Sequence, residues 1–370
     1  MSGIYIHIPF CHKRCIYCDF YLVTNLSLKE KFLTSLHKEI DLHSPSYKQE
    51  EFNSIYFGGG TPSILSPIEI EQIISKIKSN FKISDNSEIT LEANPEDILK
   101  TDVLKLKEAG INRFSLGIQS FDEDELKFLT REHTVKEAIE TVEKVQAEFD
   151  NYSIDIIYSL PGQEISTLKK SLDKVIELNA PHVSTYALTF EPKTVLGKLL
   201  NDNKVSENPA EPEMYRLVSD YFTEKVYEHY EVSSFCKPGY EAKHNSKYWN
   251  WENYIGLGPS SHSFHNDSRW NNVKSMNEYF TLIDNGKLPQ ENIIKLSKDD
   301  MKFEFIITGL RSKGVNLRNY KKIFNEDFLI NKEHVIKELT DNNFGILKNE
   351  MFMLTRKGFS LADEIITKYF

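Results

Sequence analysis

Residues 4–18 read Ile4-Tyr5-Ile6-His7-Ile8-Pro9-Phe10-Cys11-His12-Lys13-Arg14-Cys15-Ile16-Tyr17-Cys18. The first five are β-prone and predict a strand over Ile4–Ile8. Proline follows, and then three cysteines in a loop, spaced C-x₃-C-x₂-C. The chain has 370 residues and only four cysteines, and three of them fall here. A disulfide framework spreads its cysteines through a small secreted chain. Clustering in a large chain points to metal ligation instead. Three thiolates on one short loop can hold a [4Fe–4S] cluster and leave one iron open, whereas four would close it. A zinc site is the alternative at this point. It needs four ligands, which His12 or the distant Cys236 would have to complete.

Working outward, strand-like and helix-like segments alternate. Leu28–Leu42 has helical spacing, and Ser54–Phe57 is a strand ending in Gly58-Gly59-Gly60-Thr61-Pro62. Ser66-Pro67 opens a helix. Strands follow at Glu88–Ala93, Arg113–Gln119, Ser153–Leu160 and His182–Thr189. Helices lie between them at Thr101–Ala109, Asp122–Phe149 and Glu164–Leu178. Six strands in alternation with helices predict parallel β/α units, either a doubly wound sheet or a full or partial barrel. In both, ligands sit at the C-terminal ends of the strands. The cysteine loop and the glycine run lie at such ends.

The rhythm divides the chain into residues 1–190, an accessory region 191–296, and a C-terminal domain 297–370. Residues 191–213 are polar and proline-bearing and read as a connection. Residues 231–270 are rich in aromatics and histidines without clear alternation. The last domain begins with helices and closes on ILKNEMFMLTRKG and a final helix, a winged-helix-like pattern.

Hydrophobic residues are 40% and charged residues 27%, an ordinary globular balance. The formal charge of −10 counts against nucleic acid as the main partner. The sequence shows neither a transmembrane stretch nor a signal peptide, so a cytoplasmic location is expected.

Polar residues recur at strand ends. Glu92 ends the third strand and Gln119 the fourth, Arg131 follows, and Asp155 sits inside an apolar fifth strand, where an acid is costly unless paired or solvated. The cysteine loop with Tyr17 before its last cysteine, the strand before it and the glycine run together resemble the radical S-adenosylmethionine enzymes. The match is narrowest with the branch that holds oxygen-independent coproporphyrinogen III dehydrogenase and its haem-chaperone relatives. The resemblance implies a partial (β/α)6 barrel. It implies a [4Fe–4S] cluster on Cys11, Cys15 and Cys18, whose open iron binds S-adenosylmethionine. It also implies contacts to that cofactor from Tyr5, Tyr17, Gly59, Gly60, Thr61, Glu92, Gln119, Arg131 and Asp155.

A second signal is His244-Asn245-Ser246-Lys247-Tyr248-Trp249, with Trp251, Tyr254 and His262 beyond it. Read from residue types alone, it is either an aromatic mini-core or a wall on which a planar macrocycle could stack, with an imidazole for its iron. H-N-x-x-Y-W resembles the motif of the haem-chaperone subgroup, which implies haem contacts from His244, Asn245, Tyr248 and Trp249. The dehydrogenases carry a fourth cysteine two positions after the third, where this chain has Phe20, and a long N-terminal arm for which there is no room before Cys11. The resemblance therefore implies a haem chaperone more than a porphyrinogen-oxidising enzyme. The partners implied are haem, a haem-receiving protein such as a respiratory-chain component, which includes a membrane-associated client, an electron donor, and a second copy of the chain.

Overall fold

A computed structural model describes residues 1–370. Six parallel strands form its centre: β1 (Ser2–Ile8), β2 (Glu51–Gly59), β3 (Lys82–Ala93), β4 (Arg113–Gln119), β5 (Tyr152–Tyr158) and β6 (His182–Ala187). They neighbour one another in chain order without a reversal. A doubly wound sheet reverses direction at a switch point, so the order selects the barrel, here a partial one. Alternation sets the faces. Ile55 and Phe57 turn outward into the apolar core, while Ser54 and Tyr56 turn into the barrel.

Two of the crossover helices begin at built-in caps. Ser66 and Glu69 form a reciprocal capping box before Pro67–Asn80, and Thr134 and Glu137 do the same before Val135–Gln146. The segment Asp122–Phe149, read as one helix, is two: Glu123–Phe128 and Val135–Gln146. Thr130 breaks it in the left-handed conformation, φ 57°. Residues 191–213 hold more structure than a connection, with helices at Val195–Asn201 and from Glu211 to Glu224. Pro212 lies in the first turn of the second, where a missing N–H costs nothing.

The accessory region extends the same sheet. Beyond β6 come β8 (Ser234–Cys236) and β7 (Glu228–Glu231), both antiparallel. On the other side β9 (Tyr254–Leu257) pairs in parallel with β1. The meander β10 (His262–His265), β11 (Ser268–Asn272) and β12 (Gln290–Lys295) follows. The C-terminal domain has helices and a small sheet of β13 (Val315–Asn316), β14 (Gly345–Lys348) and β15 (Met351–Leu354), around its own core. It grips both flanks of the large sheet. Arg269 forks onto Glu304 at 2.9 and 2.6 Å, and Trp251 donates to Glu304 while packing on Phe305. On the opposite flank Val232 N donates to Arg311 O at 2.9 Å, and Phe359 packs on His229. No helix is long and apolar enough to cross a membrane.

The helix Lys29–His43 is tied to the accessory region by one buried carboxylate. Glu39 accepts from Tyr279 Oη (2.7 Å), Gly258 N (2.8 Å) and Asn272 Nδ2 (2.6 Å). Burial pushes its carboxyl up to about 7, against those three donors. The unfolded chain gives up this proton near its ordinary value of 4.5. Between these values the folded state holds more proton, so stability is lost as the pH rises through the window. Glu39→Gln does not titrate. From about pH 5 to about pH 7.5 its stability should gain roughly 1–2 kcal/mol on the wild type in chemical denaturation. A constant gap would show that Glu39 titrates normally.

Candidate functional site

The cysteine loop leaves β1 at Pro9 and is closed at its base by two backbone hydrogen bonds. Val23 N donates to Pro9 O at 2.6 Å, and Cys11 N to Val23 O at 3.1 Å. Arg14 spans the loop and donates to the carbonyls of Cys18, Phe20 and Leu22 at 3.2–3.3 Å. The residue type gave no hint of this, since an arginine between cysteines reads equally as surface charge.

The glycine run sets the loop's position. Gly60 N donates to Ile8 O (2.8 Å) and Thr61 N to Phe10 O (2.7 Å), so the end of β2 is stitched to the loop. A Cβ on Gly60 would stand 2.6 Å from the Phe10 carbonyl oxygen, a backbone atom that cannot swing aside. Gly59 has φ +111°, and a Cβ there would strike the His7 ring. Thr61 Oγ1 lies 3.0 Å from Cys11 Sγ.

Cys11, Cys15 and Cys18 line one cavity of about 550 Å³ at the C-terminal ends of the strands. Its other walls include Tyr17, Gly59, Gly60, Thr61, Glu92, Gln119, Arg131 and Asp155, all expected from the sequence, and also Asn94, Ser115 and Tyr186, which were not. Tyr5 is the exception. It lies below the cavity, behind Gly58, with its hydroxyl 3.1 Å from His7 Nδ1. Asn94 is a junction, donating to Thr61 Oγ1 (3.3 Å) and accepting from Arg131 (2.8 Å). The helix break at Thr130 delivers Arg131, whose guanidinium also reaches Gly117 O (2.8 Å) and lies 3.8 Å from Cys15 Sγ.

Glu92 accepts from Tyr56 Oη at 2.7 Å and from Gly59 N at 3.2 Å. Burial still pushes its carboxyl up to about 7, the Tyr56 hydroxyl opposing and the Asp155 charge adding. Asp155 accepts from Ser115 (2.9 Å) and Ser153 (3.1 Å), and burial raises its pKa too. Two desolvated carboxylates in one cavity favour a ligand that brings positive charge.

The donor set fits an iron–sulfur cluster. Three thiols face a common space, yet no three His, Cys, Asp or Glu side chains converge where a single ion could sit. Burial pushes the Cys11 thiol up to about 11, so ligation would displace its proton. Arg131 brings positive charge beside Cys15, and its Nε is buried without a partner. The zinc alternative lacks its fourth ligand. Cys236 lies on β8, paired with His182 at the opposite end of the barrel, and His12 stands 3.2 Å from Asp97.

The residues of the second motif lie away from this cavity. They occupy the short helix Lys243–Trp249, which crosses the N-terminal mouth of the barrel. His244 is fully buried, with Nδ1 2.9 Å from Ser54 Oγ and Nε2 2.9 Å from Tyr248 Oη. Burial, with Lys247 and Arg113 nearby, pulls its pKa down to about 3, so the ring is neutral. Asn245, Tyr248 and Trp249 are half-buried. The expected aromatic wall is divided: Tyr254 packs on Tyr248 at 4.6 Å, while Trp251 packs on Phe264 and the C-terminal domain.

Comparison with known proteins matches residues 5–175 to the radical SAM superfamily and residues 296–361 to the HemN C-terminal domain. Heme chaperone HemW of Lactococcus lactis subsp. lactis (strain IL1403) is 33% identical over 374 residues, covering 100% of this chain and 97% of its own. Heme chaperone HemW of Bacillus subtilis (strain 168) is 32% identical over 372 residues, covering 99% and 98%. Among solved structures, the radical SAM enzyme coproporphyrinogen III oxidase (HemN) from Escherichia coli superposes with a TM-score of 0.84. It covers 99% of this chain and 89% of its own, at 22% identity. At that identity the likeness is one of fold.

Gly60→Ala tests the stitching of the loop. The added methyl has to displace backbone at Phe10, so iron and sulfide retained after reconstitution should fall to about half or less, with helical content unchanged. Full retention would mean that the loop does not depend on this contact.

Proposed function

The chain belongs to the HemW family of the radical SAM superfamily, and from that premise we propose that it is a haem chaperone, binding haem and handing it to a haem protein. The observation that carries the proposal is the full-length similarity to these chaperones, joined to a cysteine loop whose three thiols share a cavity with Glu92 and Arg131. Cys11, Cys15 and Cys18 would hold the cluster. When bound, the cluster supplies an electron to the sulfonium of S-adenosylmethionine. The chain's own part is positioning. The oriented Glu92 carboxylate and the backbone at Gly59–Thr61 would receive the cofactor's amino-acid end. Arg131, fixed by Asn94 and Gly117, would set the charge beside Cys15.

A cavity of about 550 Å³ is the size of one small-molecule site. Haem is therefore assigned to a separate place, the helix Lys243–Trp249. Asn245, Tyr248 and Trp249 are its half-buried contacts. His244 would reach iron only by giving up its bonds to Ser54 and Tyr248. The same proposal includes a haem-receiving client, an electron donor for the cluster, a second copy of the chain as partner, and a cytoplasmic location.

Oxidative decarboxylation of coproporphyrinogen III is the alternative, favoured by the likeness to HemN, which is one of fold. Phe20, exposed at the rim of the cavity, stands where the dehydrogenases carry a cysteine. Anaerobic reconstitution, followed by haem titration with coproporphyrinogen III offered in parallel, separates the two. The expected result is a cluster, saturable haem binding and no decarboxylated product. Cys15→Ala should lose the cluster while the fold persists. Decarboxylated product from the wild type would replace the chaperone reading with the enzyme.

A further inference from the structure

The floor of the barrel and the cofactor cavity are joined by one line of contacts through the barrel interior. Glu92 accepts from Tyr56 Oη at 2.7 Å. The Tyr56 ring stacks on the His244 ring, with centroids 5.1 Å apart and planes at 26°. His244 is pinned on both ring nitrogens, by Ser54 at one edge and Tyr248 at the other.

Its helix is clamped as well. Glu88 on β3 accepts from the backbone N–H groups of Lys243 and His244, both at 3.0 Å. Buried Lys247 donates to Met1 O at 2.8 Å and to Glu252 at 3.0 Å. Two glycines clear the line. A Cβ on Gly3 would stand 3.0 Å from His244 Cε1, and one on Gly58 about as close to the rings of Tyr5 and Tyr56.

A residue that serves as an axial haem ligand needs a free nitrogen and space on one side of its ring. His244 has neither. It is a plug, and what it touches is the tyrosine that orients Glu92.

We propose that His244 is a positioning residue of the cofactor cavity: seated in the barrel floor, it braces Tyr56 so that the Tyr56 hydroxyl holds Glu92 in line for the ammonium group of S-adenosylmethionine. The proposal rests on the reading of the upper cavity as the S-adenosylmethionine site. It moves the histidine of the H-N-x-x-Y-W segment from haem ligation to cofactor binding. The half-buried Asn245 and Trp249 remain the side of that helix open to a macrocycle.

The test uses the full-length protein with its cluster reconstituted. S-adenosylmethionine affinity is measured by equilibrium dialysis, its contact with the reduced cluster by electron paramagnetic resonance, and haem uptake by absorbance titration. Tyr56→Phe keeps the stacked ring and removes only the bond to Glu92. It should weaken S-adenosylmethionine by about tenfold, the scale of one hydrogen bond to a charged group, with cluster content and haem uptake unchanged. His244→Ala should weaken it similarly and alter the resonance of the cofactor-bound cluster. The double variant should be no weaker than either single one, because both act through Glu92. His244→Gln, which can still bond to Ser54 and Tyr248, should recover most of the affinity.

Unchanged S-adenosylmethionine affinity in Tyr56→Phe and His244→Ala, with haem uptake lost in the latter, would overturn the inference and return His244 to the haem. Should His244→Ala not fold, Tyr56→Phe and Ser54→Ala, which frees one edge of the His244 ring, decide alone: weakened S-adenosylmethionine in both is expected, and unchanged affinity in both overturns the inference. A wild type that holds its cluster but never binds S-adenosylmethionine would remove the reading of the cavity itself. A wild type that binds it, with Tyr56→Phe binding equally well, would remove only this inference.

Discussion

The close approach of Gly60 and Thr61 to the backbone of Ile8 and Phe10 is the contact on which the site depends. A loop of irregular backbone cannot hold three thiols in register by its own side chains. Here its entry is locked to the end of a neighbouring core strand by two short backbone hydrogen bonds, and at position 60 only a residue without a Cβ allows so close an approach. Arg14 then ties the far half of the loop, and Thr61 adds a bond to Cys11. Precision in the cysteine positions is thus borrowed from the rigid sheet, and the sheet's own rigidity comes from the apolar layer between strands and helices.

The inner face of the barrel obeys a different rule. Instead of layers of branched apolar side chains, it carries serines, tyrosines, histidines, Arg113, Glu92 and Asp155. Burial of such groups is unfavourable unless each finds a partner. Most do, in short chains such as Tyr230–His182–Ser153–Asp155. Thr90 Oγ1 and Arg113 Nε are buried without one. This interior has given up packing stability for a set of oriented dipoles beneath the cavity. The compensating stability lies outside it, in the large apolar core and the docked C-terminal domain.

Much of this was legible in the residues. The cysteine spacing states its chemistry, and the alternation of the first 190 residues states parallel β/α units. Alternation cannot say whether strands run in order or reverse, because both arrangements bury the same faces. Short accessory strands such as Ser234–Cys236 are too brief to show a period. Arg131 was found through the resemblance, whereas the left-handed turn at Thr130 that aims it was hidden inside a good helical pattern. His244 marks the sharpest limit. An imidazole between aromatics is equally at home as ligand or plug, and its residue type says nothing of the helix that carries it across the mouth of the barrel.

The place of β1 in the sheet has a consequence for synthesis. This strand lies between β2 and β9, so its residues are flanked on one side within about sixty residues and on the other only after residue 257 has been added. The cysteine end of the barrel has its whole cavity lining once Glu191 has been added, while the opposite end waits for residues 243–257. Contacts of such long sequence separation form late. A growing chain therefore completes the ends of its barrel at different times, the cysteine-bearing end first, and stays open along its axis until the accessory region has emerged.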